Sequence, residues 1–360
     1  MLLRFCVEGY RGFSNRLEFD LSKTRDYRFN SDAILDGVVK DALVYGRNGV
    51  GKTNLGMAIL DGRNNVALDT LGHRANGTFL NADKGCSSAR FSYLLSIDGR
   101  KILYEYSKGA KGVLSSEKLA IDGETVFSID ESGNMAVDNL ADFTSGTLVV
   151  KDKEIILGLS FLSYMCTNTP KKLLGPVFSL YQFLGAMQFN GGSTLLDDIT
   201  TVIEADKAHD LEMFLRNYGI DESLVVQPDV SGVQVLYMKK HERVIPFADA
   251  CSSGTRALVR LFAIRELGKS RPSLLFLDEF DACFHHDLAE SVLSSMLSDR
   301  SMQVIATTHN TDLFSNKTLR PDCLFVLSNS GIVAAADATD RELREGHNLE
   351  RLYKAGEFDV

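Results

Sequence analysis

The segment Gly46-Arg47-Asn48-Gly49-Val50-Gly51-Lys52-Thr53 limits what this chain can become more than any other part of it. It fits the pattern G-x-x-x-x-G-K-[ST]. The glycines let backbone N–H groups converge on a phosphate chain, the lysine supplies a point charge to β- and γ-phosphates, and the hydroxyl can ligand Mg²⁺. The flanks suit that reading. Ala42-Leu43-Val44-Tyr45 is a short apolar run that predicts a buried strand. The run from Asn54 to Leu60 places apolar residues at helical spacing. Strand, glycine loop and helix N-terminus together make an anion site.

Bulk properties place this motif in an ordinary globular setting. With 360 residues, 44% hydrophobic and 24% charged, the chain can bury one large domain or two modest ones. A net charge of −9 gives no overall pull toward nucleic acid or anionic membranes. No stretch approaches the ~18 apolar residues of a membrane helix. The opening Met1-Leu2-Leu3-Arg4-Phe5-Cys6-Val7-Glu8 lacks the apolar core of a signal peptide and reads as a strand. Cys6, Cys86, Cys166, Cys251, Cys283 and Cys323 lie far apart, with no C-x-x-C. They are expected to be reduced and structural, in a cytoplasmic protein with no membrane contact and no cysteine zinc site.

Along the chain, residues 1–20 predict two strands joined at Gly9-Tyr10-Arg11-Gly12, and residues 22–40 a polar loop over the sheet. From 89 to 130 the pattern becomes short alternating runs. Strands at 91–97 and 102–106 flank Asp98-Gly99, and strands at 119–121 and 125–129 flank Asp122-Gly123. Asp-Gly is a favoured hairpin pair, so an antiparallel meander is expected. Helices are expected at 154–165, 174–187 and 201–218, with no heptad repeat long enough for a coiled-coil arm. Strands return at 224–226 and 233–238, before a helix at 257–267. Thr144-Ser145-Gly146-Thr147 reads as a turn.

Three further segments match the phosphate loop. Ser273-Leu274-Leu275-Phe276-Leu277-Asp278-Glu279 is an apolar strand ending in two carboxylates. Asp278 is placed to hold a Mg²⁺ shell with Thr53, and Glu279 to polarise an attacking water. The run from Ser301 to Asn310 predicts the next strand, with His309 at its end to sense a γ-phosphate. Cys251-Ser252-Ser253-Gly254-Thr255-Arg256 precedes a helix and makes a second anion site, although helix capping alone also accounts for the serines. Since the phosphate loop lies near residue 50 and its partners beyond 250, distant segments must meet in one split domain.

In this order the motifs resemble the ABC/SMC-like ATPases, and within them the AAA-family ATPases of phage defence, including the ATPase parts of OLD proteins and abortive-infection systems. The resemblance rests on the phosphate loop and on Ser252-Ser253-Gly254-Thr255 where transporter heads have L-S-G-G-Q. It rests also on Asp278-Glu279-Phe280-Asp281 with Phe284-His285, on Thr308-His309-Asn310, and on His347-Asn348-Leu349 with the segment from Leu352 to Phe358. Val7-Glu8-Gly9-Tyr10-Arg11-Gly12-Phe13 is similar to the family's first strand and turn.

The resemblance implies an α/β ABC-type head: a mixed sheet around the phosphate loop, an antiparallel meander and a helical subdomain. Residues 1–150 and 269–360 would form the nucleotide-binding lobe, and 151–268 the helical signature lobe. It implies ATP and Mg²⁺ as ligands. Asn48, Gly49, Val50, Gly51, Lys52, Thr53 and Asn54 would contact nucleotide; Arg11 either reaches it from the first turn or is a solvated turn arginine. Lys52, Glu279 and His309 would be catalytic, and Thr53 and Asp278 would hold the metal. Ser252, Ser253, Gly254 and Thr255 would act in trans, giving an ATP-sandwich homodimer or a higher oligomer. Departures are Cys251 where leucine is common, His286 where proline is common, and an unassigned lobe-linking glutamine, for which Gln182 and Gln188 are candidates.

The leading expectation is an ATP-dependent dimerisation switch that controls a separate toxin or nuclease partner in antiviral defence, because little chain follows His309. The alternative is a compact SMC-type repair ATPase that binds nucleic acid through Lys171-Lys172, Lys239-Lys240 with Arg243, or Arg256 with Arg260. A transporter's ATPase subunit fits the Ser-Ser-Gly-Thr signature poorly.

Overall fold

Strands covered on both faces read as unbroken apolar runs, whereas strands with one wet face alternate. Both kinds occur here, in separate sheets. The structure, a computed structural model, describes residues 1–67, 79–144, 159–190, 194–241, 243–267 and 271–358. The expected turn at Thr144-Ser145-Gly146-Thr147 lies mostly outside them, as does the first part of the expected helix at 154–165.

The chain opens with β1 (Leu2–Glu8) and β2 (Leu17–Asp20), an antiparallel pair. The expected polar loop at 22–40 contains a two-residue ladder, β3 (Ile34–Leu35) with β4 (Val38–Val39). Then come β5 (Asp41–Tyr45), the phosphate loop, and α1 (Lys52–Val66). The meander is β6 (Ala89–Ile97), β7 (Arg100–Lys108), β8 (Leu114–Ile121), β9 (Glu124–Ile129) and β10 (Met135–Val137). Asp98 and Asp122 turn its hairpins at positive φ, 52° each, with glycine following, as type I′ turns require. The meander continues onto the first hairpin, so seven strands run in the order β10-β9-β8-β7-β6-β1-β2.

Next come the helices α2 (Leu140–Phe143), α3 (Phe161–Asn168) and α4 (Gly175–Gly185), the short strand β11 (Gln188–Phe189), then α5 (Leu195–Glu204) and α6 (Ala208–Asn217). The single helix expected at 201–218 is therefore two. Asp206 adopts φ 54° and breaks the helical ladder, and α5 starts earlier because Thr194 and Asp197 form a reciprocal capping box. The apolar spacing runs across the break, which hid it from the sequence.

A three-stranded sheet follows, β12 (Ser223–Pro228), β13 (Gln234–Lys240) and β14 (Arg243–Pro246), then α7 (Phe247–Ala250) and α8 (Ser253–Glu266). The last elements are β15 (Leu274–Leu277), α9 (His286–Leu297), β16 (Gln303–Thr308), β17 (Leu324–Leu327), β18 (Ile332–Ala334) and α10 (Leu349–Lys354).

The phosphate-loop strand lies inside a six-stranded sheet of order β11-β15-β16-β5-β17-β18, parallel except for β18. Every residue of β5, β15, β16 and β17 is buried. Each large side chain there contributes about 1.5–3 kcal/mol by leaving water. β11 belongs to this sheet, and α3 and α4 pack on α1, so residues 161–189 lie with the phosphate loop rather than with the signature segment. Among the described residues, no helix is long and apolar enough to cross a membrane.

α1 is fastened to the meander by fully buried phenols. The Tyr93 hydroxyl donates to Ala58 O at 3.0 Å and accepts from Gly62 N at 2.9 Å. Tyr106 donates to Asp61 at 2.8 Å, and Lys108 reaches the same carboxylate oxygen at 2.6 Å. Tyr104 donates to Glu117 at 2.6 Å and accepts from Asn65 at 2.7 Å. Glu117 also takes the backbone N–H of Phe161 at 2.6 Å, at the start of α3. Burial raises the pKa of all three phenols well above their ordinary value, and raises that of Glu117. Tyr104→Phe strips one partner each from the buried Asn65 and Glu117. It should lower stability by about 1–3 kcal/mol in denaturant titrations, with an unchanged m-value. An unchanged midpoint would show that this hydroxyl holds nothing.

Candidate nucleotide site

Parallel strands bring their carboxyl ends to one edge of a sheet, where ligands collect. Here the register pairs Tyr45 with Thr308 and Leu277 with Ala306. Gly46, Asp278-Glu279 and His309 therefore leave the sheet side by side.

The phosphate loop crosses from β5 to α1 between Gly46 and Gly51. Gly51 adopts φ 103°, a conformation that disfavours side chains, and a Cβ there would lie 3.3 Å from the Phe13 ring. The turn after β1 thus supports the loop from behind. Asn48 and Gly49 are exposed, and Val50 is half-buried. Lys52 is buried, and its ammonium donates to Gly46 O at 2.8 Å and Arg47 O at 3.3 Å. The Glu279 carboxylate lies 3.8 Å from it and is 44% exposed, so that ion pair adds little in water.

Asp278 is held at every polar atom. Thr53 donates to one carboxylate oxygen at 2.6 Å, and Thr307 to the other at 2.8 Å. Its backbone N–H donates to Asn190 Oδ1 at 2.8 Å, and its carbonyl accepts from Asn190 Nδ2 at 3.2 Å. Thr307 Oγ1 also accepts from Glu279 N at 2.9 Å. Glu279 is then fixed at φ 43°, a left-handed backbone costing a non-glycine residue about 1–3 kcal/mol. Strain of this kind gathers where side chains must be aimed.

The threonine at the next position serves the neighbouring turn. Thr308 Oγ1 donates to Asp281 at 2.8 Å and accepts from Asn310 N at 2.9 Å, with exposed His309 between them. Arg11, at φ 44°, lies along the first turns of α1, its guanidinium 3.4 Å from Asn54 Oδ1 and 2.7 Å from Met57 Sδ. The Ser252–Thr255 segment starts α8, which packs on α5 and α6. Ser252 caps that helix, accepting from Thr255 N at 3.1 Å. Gly254 is pressed against the turn after Glu279. A Cβ there would lie 3.0 Å from Cys283 O, so packing within the chain is tight enough to favour a glycine.

Sequence reasoning missed Asn190 and the role of Thr307. Among the described residues Asp278 bonds to Thr53, Thr307 and Asn190, while Gln182 lies within α4 and Gln188 accepts from Arg63 at 3.3 Å. The residue that touches Asp278 follows a strand too short to announce itself, and it is an asparagine. Part of the basic clusters is engaged: Arg260 pairs with Asp198, Lys240 with Glu222, Arg256 donates to Ala248 O and Cys251 O, and Lys171 lies over the Phe178 ring.

The fold is that of an SMC/ABC-type head: a mixed sheet carrying a phosphate loop, joined by antiparallel sheets and a helical segment. It is similar to an SMC head domain with a coiled coil and joint from Pyrococcus yayanosii, at 12% identity and a TM-score of 0.51 over 99% of each chain. An SMC head domain from Thermotoga maritima aligns at 16% identity and a TM-score of 0.45, over 92% of this chain and 98% of that one. Residues 189–315 match the family described as "AAA domain, putative AbiEii toxin, Type IV TA system". No curated protein matches the chain.

Proposed function

We propose that this chain is an ATP-hydrolysing switch whose dimerisation is gated by ATP. The carrying observation is the gathering of Lys52, Thr53, Asp278 and Glu279 at the ends of β5 and β15, with α1 presenting its N-terminus. Lys52 would leave the loop carbonyls for the β- and γ-phosphates, and the free N–H groups of α1 would take phosphate oxygens. Thr53 and Asp278 are hard oxygen donors 2.6 Å apart, a set that suits Mg²⁺, and they would hold it. Bound there, Mg²⁺ would offset the charge of the β- and γ-phosphates. Glu279 would orient and deprotonate water, aimed by Thr307, and His309 would approach the γ-phosphate from the next strand.

In this reading the Ser252–Thr255 segment of a second copy covers the γ-phosphate from the open side. Arg11 would contact nucleotide from the α1 side. The family description mentions a toxin and a type IV toxin–antitoxin system, which supports a place in such a system; control of a separate toxin or nuclease protein is the output assigned in this reading.

Ser253 is exposed and makes the test clean. Light scattering should show wild type moving from monomer to dimer mass on addition of MgATP. Ser253→Arg should stay monomeric while binding ATP with wild-type affinity. Normal dimerisation of that variant would remove the signature segment from the interface.

A further inference from the structure

The C-terminal motif that runs from His347 to Phe358 takes no part in the site described above. Its position gives it a task. β5 and β16 lie side by side, with Tyr45 opposite Thr308, and directly beyond this pair the chain diverges into the phosphate loop and the His309 turn. α10 covers that joint. The Tyr353 ring lies 4.5 Å from Tyr45, and 5.8 Å from Phe314, which ends the His309 turn. Phe314 is 5.9 Å from Tyr45 and 5.7 Å from Phe358, and both phenylalanines are fully buried.

Polar contacts tie the same two segments. Thr311 Oγ1 donates to Glu350 at 3.4 Å. The Asn316 amide donates to the carbonyls of Arg344, Glu345 and His347 at 2.9, 3.1 and 3.2 Å. Asn348 caps α10 by accepting from Arg351 N at 2.8 Å. The turn itself is only a short 3-10 helix, Thr311–Leu313, with one cap from Asn310. A segment with so little internal bonding takes its position from what packs on it.

We propose that α10 is a positioning clamp that sets the separation of the phosphate loop and the His309 turn, with Tyr353 as its wedge. Tyr353 touches neither substrate nor reacting groups; it acts through Tyr45 and Phe314. The clamp stands on packing alone, while its effect on catalysis rests on the ATPase reading above.

Hydrogen exchange on the full chain tests the clamp without any need for turnover. In Tyr353→Leu, backbone protection should fall together in peptides covering 43–51 and 305–316. ATP turnover should drop about tenfold to a hundredfold, as expected for misplaced groups, with KM held within about twofold. Tyr353→Phe should restore both. Glu350→Ala keeps the aromatic wedge and should produce the same paired loss on a smaller scale, which preserves the test if Tyr353→Leu does not fold. Loss of protection confined to 343–358, or equal changes in KM and kcat, would overturn the clamp. A wild-type protein without ATP turnover would defeat the ATPase reading, yet the paired exchange result would still decide the clamp.

Discussion

Lys52→Ala should bind ATP at least about 100-fold more weakly than wild type, a loss of about 2.7 kcal/mol. The size follows from its surroundings. Lys52 is 4% exposed and its ammonium already rests on two loop carbonyls, so it can move onto phosphate oxygens without crossing open water. Charge-assisted hydrogen bonds in such a place are about twice as strong as neutral ones. Truncation also leaves Gly46 O without its ammonium donor. Arginine should not rescue the loss, because its planar fork does not fit a position cut for a single ammonium. Titration with a fluorescent ATP analogue measures this directly, and affinity within threefold of wild type would count against the loop as the phosphate site.

Glu279→Gln should hydrolyse ATP about 10²–10⁴-fold more slowly, the span assigned to a positioned general base. Binding should survive. The backbone at Glu279 is pinned through its N–H to Thr307 and not through the side chain, so the amide will occupy the same place. Losing a charge 3.8 Å from Lys52 frees that ammonium for the phosphates. ATP-bound dimer should therefore accumulate, visible by light scattering beside a phosphate-release assay. Hydrolysis at the wild-type rate would take the carboxylate out of its assigned role.

The residues that meet at this edge were legible because their chemistry is written locally. A glycine loop with Lys52 and Thr53, or an apolar strand ending in Asp278 and Glu279, declares itself within ten residues. The alternating runs and Asp-Gly pairs likewise announced the meander. What stayed hidden depends on tertiary partners. Asn190 follows a two-residue strand that exists only because β15 pairs with it. Thr307 reads as one more strand residue until the sheet turns its hydroxyl toward Asp278. The α5–α6 break went unseen because amphipathic spacing continues through Asp206, and periodicity carries no information about a single left-handed residue. The C-terminal motif was visible as a pattern, but its packing on Tyr45 required the neighbouring strands to be in place.

The order of the central sheet has a consequence for synthesis of the protein. β5 is one of the two central strands, at 41–45, yet its neighbours β16 and β17 lie some 260 residues or more downstream, at 303–308 and 324–327. Chains emerge from the ribosome amino end first, at about 5–20 residues per second. The nascent polypeptide therefore carries its glycine loop for many seconds before the strands that flank β5 are made.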